Sequence, residues 1–243
     1  VKHGFDEEIH YVDYVDREVQ GRMTPQRVFD ILNEGNQRFR TGRHLTRDFS
    51  KQAQATALGQ HPLACILGCI DSRSPTELVF DAGLGDLFSV RIAGNVVSRK
   101  VLGSIEYACS VGGAKLVVVM GHTRCGAVGA AVTLLSNSLD GQLPEQARQD
   151  HVQYIVDTIA PSIDETTRQA VRATNGDERQ GLIDGVAQRH VSRMIESIRE
   201  ESPVLNTLER QGRIAIVGAM YDVRTGAVAF MTRPAVSPVV AGG

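Results

Sequence analysis

At 243 residues, 42% hydrophobic and 22% charged, the chain can bury one substantial core and lies within the size range of a single domain. A formal charge of -2, with no dense Lys/Arg run and interleaved aromatics, gives no footing for a nucleic-acid partner. The most apolar runs, "LACILGCI" and "AKLVVVMG", fall far short of the roughly 20 residues of a membrane-spanning helix, so no span is expected in this chain.

No charged and then apolar leader opens the chain, so no secretory signal is read there. Cys65, Cys69, Cys109 and Cys125 are too few and too irregularly spaced for a disulfide framework, which points to a reducing, cytoplasmic setting with thiols free for metal.

Residues 1–22 read as an N-terminal arm, in which "IHYVDYV" alternates as a strand or an extended segment does. In "MTPQRVFDILNEGNQRFRTG", Thr24 can cap, Pro25 suits a first helical turn, and Val28, Ile31, Leu32 and Phe39 recur at helical spacing until Gly42. "FSKQAQATALGQ" predicts a second, more polar helix.

From residue 63 short apolar runs alternate with helical patterns. "LACILGC" predicts a buried strand, and "SPTELVF" a helix with Ser74 as cap, Pro75 at its first position and Glu77 completing a capping box. "DLFSVRI" predicts the next strand, "VLGSIEYACSVGG" a helix, "KLVVVMG" a third strand and "CGAVGAAVTLL" another helix. Residues 144–200 read as helical throughout, with Val186, Val191, Met194, Ile195 and Ile198 marking one face, until "SPVL" breaks the pattern. "RIAIVGAMYDVRTGAVAFMT" predicts two strands joined near Thr225 and Gly226. The expected fold is therefore α/β: a mostly parallel sheet of four strands plus an antiparallel edge strand, flanked by helices, with an N-terminal helical arm. Residues 234–243 form a Pro/Gly/Ala tail.

In an open α/β sheet ligands bind beyond the carboxyl ends of the strands. Cys69 ends the first strand, and "GHTRCGA", with His122 and Cys125, follows the third. Thiolate and imidazole ligands suit tetrahedral zinc, and three protein ligands leave a fourth position open, as catalytic sites do. Asp71 and Arg73, just past Cys69, are spaced for a charge-assisted pair that holds the carboxylate ionised and aimed as a proton acceptor.

Either motif alone is ordinary strand-end turn chemistry; both together, each after its own buried strand, favour a metal site. Cys65 and Cys109 read as core thiols, although Cys65-x3-Cys69 is also a chelating spacing. His3, His10, His61, His151 and His190 lack a convincing ligand spacing and read as surface or locally hydrogen-bonded residues. No glycine pattern matches a phosphate-binding fingerprint.

These residues resemble the beta-class carbonic anhydrases. "CIDSR" (69–73) looks like the family's Cys-x-Asp-Ser-Arg signature and "GHTRCGA" (121–127) like its Gly-His-x-x-Cys-Gly signature. The similarity continues through "GDLFSVRIAGNVV", "GSIEYA", "SPVL" and "YDVRTGAV". It implies a catalytic domain over residues 23–233, holding one Zn2+ per chain on Cys69, His122 and Cys125. The implied reaction is reversible hydration of carbon dioxide to bicarbonate by zinc-bound hydroxide, oriented by Asp71 and Arg73.

A closed, bicarbonate-regulated subtype carries Trp three residues before the first ligand; here Ile66 stands there and the chain has 0 Trp. The open subtype is the nearer match, with Gln60, Phe88, Tyr107 and Gly126 in the substrate pocket. The resemblance also implies a homodimer, or a tetramer, in which amino-terminal helices cross to the neighbour and pocket residues are shared. The helix over 25–41 fits that role.

"VDYVDREVQGRMTPQRVFDILNEGNQRF" further resembles the junction of this enzyme with a sulfate-permease-type anion transporter. On that reading the chain is tethered at the cytosolic face of a membrane, and a start at Val1 reflects excision. Two functional alternatives stand beside hydration: hydrolysis of carbon disulfide or carbonyl sulfide on the same site, and a non-catalytic, bicarbonate-responsive domain of a transporter.

Overall fold

The computed structural model describes residues 15–137 and 150–234. All of the patch "IHYVDYV" but Val15, together with His3, His10 and most of the expected tail, lies outside these residues. Among the described residues five strands form one sheet: β1 (Ala64–Gly68), β2 (Leu87–Arg91), β3 (Leu116–His122), β4 (Ala215–Tyr221) and β5 (Val228–Phe230). Their spatial order is β2-β1-β3-β4-β5, parallel except for the antiparallel β4–β5 pair. This is the expected sheet, edge strand included.

Every residue of β1 and β3 is buried, which is why both read as continuous apolar runs and not as alternating ones. Alternate side chains serve opposite faces. Ile66, Val118 and Val217 pack against Val28, Phe29, Ile31 and Leu32 of α2 (Pro25–Thr41) and Val79 of α4 (Thr76–Val79). Cys65, Leu67, Val117 and Val119 pack against α5 (Arg99–Ser110), α9 (Gly176–Glu201) and α10 (Pro203–Arg210).

The caps of α2 follow the sequence. Thr24 Oγ1 accepts from Arg27 N at 3.2 Å, Pro25 opens the first turn, and Gly42 ends the helix in the left-handed region at φ 65°. The helix expected to cross to a neighbour has its apolar partners in its own chain. Asn36, 3% exposed, fixes it there: Nδ2 donates to Val79 O at 3.0 Å and Gly226 O at 2.9 Å, while Oδ1 accepts from Val228 N at 2.9 Å. Within the stretch expected as an arm, α1 (Arg17–Arg22) also sits on the chain's own body, through Gln20 Nε2 donating to Pro62 O and Gly112 O at 2.8 and 2.7 Å.

Three expectations change in detail. Ser74 does not cap α4; its hydroxyl donates to Asp71 O at 3.1 Å, closing the turn before the helix, and Glu77 is engaged by Thr76 and Ser89 hydroxyls instead of a capping box. The region from 150 is broken into short pieces rather than one run: α7 (Asp150–Ile159), a 3-10 turn over Ala160–Ser162, α8 (Glu165–Ala173), then α9. Residues 144–149 of that expected helix lie outside the described ones. "SPVL" breaks the chain only for one residue, because Ser202 both ends α9, its N–H donating to Ile198 O at 3.1 Å, and caps α10 by accepting from Leu205 N at 3.2 Å. The more polar helix near the start, α3 (Phe49–Thr56), forms as expected. No helix among the described residues is long and apolar enough to cross a membrane.

Replacing Asn36 by Leu leaves two carbonyls and one amide without partners, so urea unfolding should show a loss of about 2–3 kcal/mol. Thr24→Ala removes one exposed cap bond and should cost about 1 kcal/mol in the same measurement.

Candidate metal centre

Strand order reverses at β1: β2 lies on one side and β3 on the other. The crevice beyond the carboxyl ends of β1 and β3 is therefore a topological switch point. Gly68 pairs with Met120, so Cys69, one residue on, and His122, at the end of β3, emerge side by side.

After β1 the chain turns through Asp71. Asp71 O accepts from Ser74 N at 3.1 Å and from Arg91 Nη2 at 2.5 Å, while Arg91 Nε donates to Cys69 O at 3.0 Å. Arg91, the last residue of β2, thus anchors the loop that carries Cys69.

After β3, Thr123 N donates to Tyr221 O at 2.9 Å, and Arg124 adopts φ 56°, a left-handed geometry rare for a residue with a Cβ. Asp184 of α9 steadies that turn by accepting from Arg124 N at 2.8 Å. Cys125 then leads into α6 (Gly126–Asn137).

The result is a buried trio: one ligand atom each from Cys69, His122 and Cys125, all within 4.8 Å of one another. His122 Nδ1 lies 2.9 Å from Thr123 O, so that nitrogen carries the proton and donates. Nε2 is left as a buried lone pair with no hydrogen-bond partner. Gly94, from the loop after β2, donates its N–H to Cys69 Sγ at 3.4 Å.

The Cys125 thiol, with help from His122 and the amides of Asp71 and Gly94, pulls the Cys69 sulfur well below the ordinary thiol range. Cys125 is pushed up in turn by Cys69 and by burial.

Asp71 stands beside the trio and outside it, with Oδ2 3.9 Å from His122 Nε2. Arg73 clasps both carboxylate oxygens: Nε and the backbone N each donate to Oδ1 at 2.9 Å, and Nη2 donates to Oδ2 at 2.8 Å. That clasp holds the Asp71 carboxyl down at about 2. The two motifs are also joined directly, since Arg73 Nη2 donates to Arg124 O at 3.2 Å.

Cys65 lies four residues back along β1, roughly 13 Å from Cys69 at strand spacing, and packs in the core with Cys109. Burial pushes both thiols up, Cys109 to about 12, as suits inert core residues. Of the expected pocket residues, Gly126 is at the trio, as the exposed first residue of α6. Phe88 pairs in register with Cys65 and contacts Tyr107, ring centroids 6.2 Å apart, at the far end of the strands; Gln60 is exposed just before β1. Within one chain these three do not reach the trio.

The family model described as carbonic anhydrase matches residues 64–228, from β1 into β5. This chain is a beta-class carbonic anhydrase family member.

The chain is 38% identical over 204 residues to carbonic anhydrase 2 of Mycobacterium tuberculosis, covering 83% of this chain and 90% of that relative. It is 35% identical to the carbonic anhydrase of Mycolicibacterium smegmatis, over 84% of this chain and 92% of the relative. Among solved structures, the beta-carbonic anhydrase CafA of Aspergillus fumigatus shares 26% identity and superposes with a TM-score of 0.59, covering 75% of this chain and 84% of that one. The anhydrase family's two sequence signatures supply the trio and its Asp/Arg neighbour.

Three residues around this beta-carbonic anhydrase site, Arg91, Gly94 and Asp184, were not singled out by the sequence, and His190, expected at the surface or in a local hydrogen bond, is buried behind it. His190 carried a signal, because it falls on the buried face of α9 between Val186 and Met194, where a polar residue needs a partner. It is 0% exposed, and burial lowers its pKa to about 4. A group depressed in this way contributes stability above its unfolded pKa near 6.5 that is lost as pH falls toward 4. Urea unfolding across that window should therefore weaken more steeply in the wild type than in His190→Gln, with a difference on the order of 3 kcal/mol.

Proposed function

We propose that this chain binds one zinc ion through Cys69, His122 and Cys125 and catalyses the reversible hydration of carbon dioxide to bicarbonate and a proton. The observation that carries the reading is the buried trio itself, with an ionised carboxylate clasped at its side. The donor set fits zinc: two sulfurs and an imidazole nitrogen, the latter a buried lone pair with nothing else to bind. Two thiolates and a neutral imidazole also balance the charge of a divalent ion.

Zinc at this position supplies a Lewis acid that makes water nucleophilic near neutral pH. The protein's part is to aim and to exclude. Asp71 offers a carboxylate oxygen as proton acceptor, and Arg73 fixes which way it points. Because both of its oxygens are engaged by Arg73, Asp71 is restrained from joining the trio, which supports the open reading of the site. Arg91 holds the carbonyls of Cys69 and Asp71, so the ligand and the acceptor move as one unit. Carbon dioxide is small, neutral and linear, and needs an apolar recess more than a charged cradle.

Gln60, Phe88 and Tyr107 complete that recess from a second copy. Their distance from the trio within one chain is the observation that favours a dimer, and Tyr107 is 56% exposed and available to a neighbour. All four cysteines are free thiols, which suits a reducing cytoplasmic compartment. The catalytic unit is taken as residues 23–233.

The purified protein should contain one zinc per chain and accelerate carbon dioxide hydration in stopped flow. Cys125→Ser should lose metal and activity together, whereas Asp71→Asn and Arg73→Ala should keep the metal and lose about 10- to 100-fold in rate. Stoichiometric zinc without hydration above buffer, at both neutral and alkaline pH, sinks the enzymatic reading and favours the non-catalytic one.

Sharing of the pocket has its own check. Gln60→Ala and Cys125→Ser copies, each inactive alone, should regain activity when mixed and allowed to exchange, because the hybrid joins an intact trio to an intact Gln60. No recovery in a mixture shown to contain hybrids would mean that Gln60 does not serve the neighbour's site.

A further inference from the structure

Behind Cys69 runs a second chain of contacts that the reaction scheme does not use. His190 Nε2 lies 2.9 Å from Gly94 O, and Gly94 N–H is the group that donates to Cys69 Sγ. A carbonyl can only accept, so Nε2 carries the proton and Nδ1 is the acceptor, facing the Ser162 hydroxyl at 3.4 Å.

The imidazole is completely enclosed, and its burial keeps it neutral, which preserves that one donor and one acceptor. Ser162 is itself held from α9, since Arg189 Nε donates to its carbonyl at 3.1 Å and Arg189 Nη2 reaches Thr167 Oγ1 at 2.8 Å.

Gly94 needs such an anchor. It sits at φ 66° and ψ 16°, and a Cβ placed there would meet Ile159 Cδ1 at 3.0 Å and Ala127 Cβ at 3.3 Å. Any side chain there would be both crowded and strained, yet glycine is the residue with the most backbone freedom. Its N–H points at a sulfur only while something fixes its orientation. His190 grips its carbonyl on one side, and Ile159 closes on its Cα from another.

We propose that His190 is a positioning residue for the metal-binding sulfur of Cys69, acting through Gly94. The inference rests on the zinc reading above. An N–H directed at a ligating thiolate withdraws electron density from it, so the metal is left a stronger Lewis acid than two unrestrained thiolates would allow. A site with two sulfur ligands has the most to gain from that withdrawal. The 3-10 turn carrying Ser162 and the helix carrying His190 thereby bear on the metal's electronics without touching it.

The test compares His190→Leu with His190→Gln, whose amide places a donor near the position of Nε2. Two readouts are taken: exchange of the Gly94 amide in the metal-free protein, followed by NMR, and the thiolate-to-metal charge-transfer band of the Co(II)-loaded protein. Leu should speed Gly94 exchange about 10-fold and move the band to longer wavelength, and Gln should return both toward the wild type. Should the Leu variant not fold, His190→Asn, whose shorter amide stops short of Gly94, should show the same two changes against Gln.

Wild-type exchange and an unmoved band in the Leu or Asn variant would overturn the positioning role while leaving the zinc reading intact. A wild-type protein that takes up Co(II) without any thiolate band would instead remove Cys69 and Cys125 as ligands, and the zinc reading with them.

Discussion

The parallel pairing of β1 with β3 is the constraint on which the site depends. Gly68 opposite Met120 brings Cys69 and His122 out of the sheet together, and a slip of one residue would turn one of those side chains toward the opposite face. The register is secured by burial on both sides: Ile66 and Val118 belong to one core, Leu67 and Val119 to the other. A slip would exchange those sets against helices shaped for the originals. Packing of ordinary aliphatic residues therefore sets the position of the sulfur and the imidazole before any ligand chemistry begins.

Beyond the strand ends, charge takes over from packing. Within the first loop Arg73 clasps the Asp71 carboxylate, Arg91 ties that loop to β2, and Arg73 links it to the second loop through Arg124 O. These bonds leave little freedom in the backbone that carries Cys69 and Asp71. The strained residue in the second loop, Arg124, lies between His122 and Cys125, where the chain must reverse in two residues to bring both side chains to one point. Asp184, from the long helix α9, restrains that reversal from outside.

Much of this was legible in the sequence, for identifiable reasons. The two signatures are local, and each follows a run apolar enough to be a buried strand, so their meeting at one sheet edge follows from topology. Thr24, Pro25 and Gly42 marked α2 because cap chemistry is read within a few residues. The partner of α2 was not legible, since Asn36 bonds residues at the other end of the chain. Ser74 misled because a serine before proline suits a cap as well as a turn, and the competing acceptor, Asp71 O, is backbone and so leaves no trace in the sequence. His190 was undervalued because its partner is likewise a carbonyl, on a glycine 96 residues away. Gln60, Phe88 and Tyr107 were named from family likeness alone, and within a single chain they lie away from the trio.

The reach of Asn36 bears on the order in which the molecule can be assembled. Its amide must wait for Gly226 and Val228, 190 and 192 residues downstream, before its three bonds exist. By contrast, all the residues of the trio and its carboxylate fall between Cys69 and Cys125, within the first three strands. During synthesis the residues of the trio emerge well before the last two strands. Long-separation contacts of this kind are slow to form. Closure of α2 against β5 thus needs nearly the whole chain, whereas the trio draws only on residues 69–125.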